Sequence, residues 1–159
     1  MPDSADSVSP QSVRQTVTPV VRKGRCLCGK VTVELVGEPL AVSLCHCVNC
    51  QKTSGSAFSV IAIVLKNNIR FEGEVGVFND VGDSGRGFER CFCKGCGSPV
   101  ESRSDHLASR GITIVKASLF DDTSWLQPNE QIFCQSSQRW LNGGVGEIPR
   151  YAAMVVRPV

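Results

Sequence analysis

Eight of the nine cysteines in this 159-residue chain fall in three short clusters: Cys26-x-Cys28, Cys45-x-Cys47-x2-Cys50 and Cys91-x-Cys93-x2-Cys96. Cysteines this close in sequence do not readily pair with each other, but their sulfurs can grip one ion. The odd cysteine count points the same way. So does the opening stretch MPDSADSVSPQSVRQ, which has no apolar signal-peptide core. Reduced thiols in a cytoplasmic protein are the expectation, and zinc is the metal such a donor set predicts. Gly29 after Cys28 and Gly97 after Cys96 suit the turns that aim backbone N–H groups at thiolates. Spacing leaves open how eight sulfurs are shared. Two closed four-ligand sites would use them all, whereas an open site keeps three protein ligands and one free position.

The remaining composition narrows the partners. Net charge is only +2 and aromatics make up 6% of the chain. A basic stripe with interleaved aromatics is missing, so a nucleic-acid partner is not expected. No apolar run approaches the ~18 residues that span a bilayer, so a membrane partner is not expected either. Residues 1–22 are polar and rich in Ser, Pro, Thr and Gln, which predicts a disordered tail. Residues 23–159 are long enough for one domain with its own core.

Strand signals dominate that domain. Alternating β-branched residues predict strands over 31–36, 41–46 and 69–78, and the nearly continuous apolar run at 57–65 predicts a central buried strand. Further strands are expected over FERCFC, over 111–119, over 132–140 running into a loop, and over 151–156. The segment 79–87 reads as a polar, Gly-rich loop. The one helix signal is a short turn at 48–53, stopped by Gly55. The class is mostly β, in small antiparallel sheets.

Three stretches carry a resemblance: GRCLCGKVTVEL, SLCHCVNCQKTSGSAFSV and FCKGCGSPV, followed by KASLFDD and SSQRW. Together they resemble the glutathione-dependent formaldehyde-activating enzyme family, which includes centromere protein V. The resemblance implies a β-tent zinc fold with two zincs per chain. It implies one structural zinc on Cys26, Cys28, Cys93 and Cys96, and a second on Cys45, Cys47 and Cys50. It also implies a carbon–sulfur lyase that uses glutathione or a similar small thiol with an aldehyde or other electrophile. The alternatives are a non-catalytic zinc-binding interaction module, or a small-molecule pathway enzyme recruited onto the same scaffold.

Several residues become candidates within this frame. Lys52 and Arg86 are expected to bind substrate carboxylates or offset the charge of a three-thiolate site, with Arg90 as a further neutraliser. His46, between two thiols of an extended segment, is expected to point away from the metal and to hydrogen-bond. Cys91 shares a strand face with Cys93 and is a potential extra ligand that would close the second site. Cys134 is expected to be a small buried hydrophobe and Trp140 a packing aromatic.

Overall fold

The computed structural model describes residues 19–82, 84–141 and 145–155. Ten strands form two sheets. The smaller has the order β1-β2-β5, from Val21–Arg25, Thr32–Val36 and Ile69–Glu72, all antiparallel. The larger has the order β10-β3-β4-β9-β8-β7-β6. Its strands are β3 (Ala41–Cys45), β4 (Ser59–Leu65), β6 (Val75–Val81), β7 (Gly87–Cys93), β8 (Pro99–Arg103), β9 (Ile112–Lys116) and β10 (Glu130–Ile132). Every pairing in it is antiparallel except β10 on β3.

β1 begins at Val21, inside the segment expected to be a tail; residues 1–18 lie outside the described residues. The single strand expected over 69–78 is two. Gly73, at φ 103°, turns the chain between β5 and β6 and sends the halves to different sheets, and a side chain there would strike the Lys30 carbonyl. β6 runs on to Val81, which shortens the expected Gly-rich loop. Residues 151–155 form no strand, and Val156 lies outside the described residues.

The apolar run at 57–65 is explained by the two faces of β4. Ala62 and Val64 join Val115 and Val100 in a core shared with Val33 and Leu35 of the small sheet. Ile61 and Ile63 look the other way, beside Lys116 and Ile114 of β9, their registered partners. Alternation along a strand sends successive side chains to opposite faces. One face of the central sheet thus closes the core, while the other lines a cavity. The segment after β9 meets the small sheet closely at Gly24, which bridges to Phe120 and where any side chain would collide with the Leu119 carbonyl.

Among the described residues, two short α-helices and four 3-10 turns join the strands. α1 (Val48–Ser54) follows β3 directly and ends at Gly55, in the left-handed conformation at φ 61°. α2 (Asp105–Ser109) is capped by the Ser104 hydroxyl, which accepts from the Leu107 N–H. The sequence reading did not foresee it.

Candidate metal centres

The four-thiol cluster sits where the sheets join. Cys26 and Cys28 follow β1, and Cys93 and Cys96 flank the turn after β7. Their sulfur atoms all lie within 4.8 Å of one another. Cys26 and Cys28 sulfurs are 3.6 Å apart, and Cys28 and Cys93 sulfurs 3.7 Å. A tetrahedral site with zinc–sulfur bonds of ~2.3 Å has edges of about 3.8 Å, so the spacing suits a divalent ion held by thiolates. Backbone N–H groups support the sulfurs: Val31 donates to Cys26 at 3.3 Å and Gly95 to Cys93 at 3.4 Å. Gly29 and Gly97 both adopt φ 74°, the left-handed turn their place in sequence predicts. Across the site, the Leu27 N–H donates to the Ser98 hydroxyl at 3.2 Å. That hydroxyl, with its backbone, also holds the Cys96 thiol down at about 5.

The three-thiol cluster is built from the end of β3 and the start of α1. Cys47 is the helix cap, its sulfur accepting from the Cys50 N–H at 3.3 Å. Capping fixes the turn, and the turn brings Cys45, Cys47 and Cys50 within 4.8 Å of one another. Among the described residues no fourth Cys, His, Asp or Glu joins them. Cys91 is buried but stands outside both clusters, so it does not close this site. Proton sharing with Cys45 and Cys47 pushes Cys50 down to about 3, helped by the charges of Lys116 and Arg90. The counterpart is Cys45, driven far up by Cys47, Cys50 and burial. Such a set sheds one proton easily and the others less so, and a bound cation would favour their release to solvent.

All three thiols open onto a cavity of about 690 Å³. Among the described residues, Arg86, Arg90, Arg110 and Lys116 line it and no Asp or Glu does. Arg86 is exposed near the mouth, whereas Lys116 is 4% exposed and its ammonium donates to the Ser59 hydroxyl at 3.3 Å. Ser102, 2% exposed, also lines the cavity and has no hydrogen-bond partner for its hydroxyl among the described residues. Phe133 lines it from a left-handed backbone position, φ 56°, which is costly for a residue with a side chain.

Lys52 is exposed on α1 and is not among the residues lining the cavity. The buried cation is instead Lys116. The one signal for it was a charge inside the apolar strand ITIVK. His46 is fully buried, 3.0 Å from the Gln131 side-chain oxygen and stacked at a tilt on Phe58, away from the cavity lining. Trp140 does not pack in the core. It is exposed and donates to Gln138, which in turn donates to Gln51 of α1. Cys134 is half-buried in a 3-10 turn and joins neither cluster.

A mostly β scaffold with a four-thiol clip between sheets and a three-thiol cluster facing a cavity defines a class of small cysteine metal-site proteins. Within that class, the chain belongs to the glutathione-dependent formaldehyde-activating enzyme family, whose pattern matches residues 21–136. Proteins of Aspergillus flavus and Aspergillus oryzae named for this family are each 32% identical over 129 residues, covering 77% of this chain and 66% of theirs. The chain therefore spans just under two thirds of the length of these relatives. A crystal structure of a Rhodobacter sphaeroides protein is similar at 20% identity and TM-score 0.49, covering 80% of this chain and 98% of that one.

Proposed function

We propose that this chain is a zinc-dependent carbon–sulfur lyase acting on adducts of glutathione, or a similar thiol, with an aldehyde. The observation that carries the reading is the three-thiol cluster, facing a cavity lined, among the described residues, by Arg86, Arg90, Arg110 and Lys116 and by no acidic side chain. Family membership supports it, since the relatives are named for glutathione and formaldehyde.

In this reading Cys26, Cys28, Cys93 and Cys96 hold a structural zinc, and Cys45, Cys47 and Cys50 hold the second. When bound at an open three-cysteine site, zinc supplies a Lewis acid that lowers the pKa of a substrate thiol. The chain's own residues do the rest. Three thiolates bring more negative charge than a divalent ion removes, and a substrate thiolate adds another. Lys116 and Arg90 offset it from the cavity wall. Arg86, on the cavity lining, would receive a carboxylate of a tripeptide thiol through paired N–H donors. Lys52, outside the cavity, has no part in this arrangement.

The reaction balances without an oxidant or reductant. In an adduct R–S–CH(OH)–R′ the carbon–sulfur bond breaks with its electron pair going to sulfur. The hydroxyl loses its proton as the carbonyl forms, and the net proton transfer is from oxygen to sulfur. The reverse direction joins thiol and aldehyde.

Native mass spectrometry with and without glutathione tests the reading. Two zincs per chain and a glutathione adduct are expected. Two zincs and no adduct would overturn the open-site assignment and favour a non-catalytic zinc module.

A further inference from the structure

We infer that the cavity selects thiol adducts whose organic part is a bulky apolar skeleton, so that a one-carbon adduct is a poor fit. The inference rests on the thiol-adduct reading above and names the second half of its substrate.

The walls carry the argument. Ile61 and Ile114 come from the central strands, Phe88 from β7, Leu107 from α2, Phe133 from the turn after β10, and Met154 from the segment beyond. Five separate parts of the fold thus converge apolar side chains on one space. Cys45 and Cys50 belong to the same apolar cluster as Ile61 and Ile114, so the thiols themselves lie against that wall. The chain leaves Phe88, Leu107 and Phe133 only partly covered and Met154 exposed, rather than burying them on each other.

A volume of about 690 Å³ falls among pockets that enclose drug-sized ligands, ~300–1,000 Å³. Glutathione is polar, with a carboxylate at each end, and the basic residues answer that part. Nothing in glutathione matches the Ile, Leu, Phe and Met wall. A hydroxymethyl group offers that wall one carbon and a hydroxyl, and leaves it wet. An alkyl or aryl group on the carbon next to sulfur would displace that water.

The test measures binding by calorimetry, with the full chain as purified and with ligands that do not react. S-methylglutathione and S-hexylglutathione share the polar part and differ only in the alkyl group; methyl hexyl sulfide carries the alkyl thioether alone. S-hexylglutathione is expected to bind about tenfold or more tightly than the methyl compound, the scale by which apolar pockets discriminate added methylenes. Equal affinities would overturn the inference and leave the thiol-adduct reading standing. Binding of methyl hexyl sulfide alone would support the apolar wall and overturn the glutathione part of that reading. No binding by any of the three would overturn both. Leu107→Asn and Met154→Asn place the alkyl group. Each is expected to shrink the hexyl-over-methyl ratio, and an unchanged ratio in both folded variants would overturn the assignment of this wall.

Discussion

The Arg90 guanidinium donates to Asp80 at 2.7 Å, and the same Asp80 oxygen accepts from the Asn49 side chain at 3.0 Å. One carboxylate thus links β6 and β7 to the second residue of α1, the helix that carries Cys50. The link holds Arg90 where its charge reaches the thiols. Asp80→Asn should lower stability by about 1.5 kcal/mol, the low end for hydrogen bonds to charged groups, because the pair is only partly buried. Arg90 holds the Asp80 carboxyl below its ordinary 3.8. The stabilisation is therefore present above that value and lost as pH falls through the lowered one. Thermal melts of both proteins should differ at neutral pH and converge in acid. A constant difference across the range would rule out this ionisation as the cause.

Cys28→Ser and Cys96→Ser remove a corner of the clip between sheets. Loss of a structural metal is among the few changes that cost more than about 4 kcal/mol. The melting temperature should fall by about 10 °C or more, with one metal equivalent lost. A variant that keeps both its metal content and its melting temperature would refute a structural role.

Cys47→Ser opens the other cluster but leaves the sheets clipped. One metal equivalent should disappear while the circular dichroism spectrum stays native. The serine hydroxyl can still accept from the Cys50 N–H, since serine is itself a favoured helix cap. Global unfolding would show that the three-thiol site also holds the fold.

Lys116→Met separates charge from packing. A buried cation whose hydrogen bond is to one neutral hydroxyl can be replaced by an apolar side chain of similar length at little cost, and sometimes with a gain. Its charge, however, supports the thiolates. Stability within about 1 kcal/mol of the parent is expected, together with a roughly 10- to 100-fold weaker second metal. Competition with a chromogenic chelator measures this. Unchanged affinity would mean that Lys116 has no influence on the site.

Ser102→Ala removes an unsatisfied buried hydroxyl, so the melting temperature should hold or rise. A marked loss of stability would point instead to a structural bond for this hydroxyl.

Both clusters were legible in the sequence because each half of a cysteine grip is local. α1 was legible for the same reason, with Gly55 marking its end. The pairing of distant halves came through the family resemblance, and the structure brings the same four sulfurs together. What could not be read depends on register. Lys116 enters the cavity because it pairs with Ile61, 55 positions away, and no periodicity reports that. α2 has five residues, too few to display a helical period, yet it supplies Leu107. The segment 151–155 has a strand's composition, but β10 has only three residues, and the chain meets it in a single bridge, Arg150 to Gln131, extended by the Tyr151 N–H donating to the Gln131 carbonyl. Exposure of Lys52 likewise follows from which way a seven-residue helix is rolled, which its neighbours in space decide.

The division of the central sheet into a core face and a cavity face means that two messages are interleaved in one strand. In β4, Ala62 and Val64 speak to the small sheet, while Ile61 and Ile63 speak to whatever enters the cavity. Each can be rewritten without editing the other. Relatives with the same clip and the same thiols are thereby free to diverge in appetite, and an engineer seeking a new substrate has alternate letters of β4 and β9 to change before the fold takes notice.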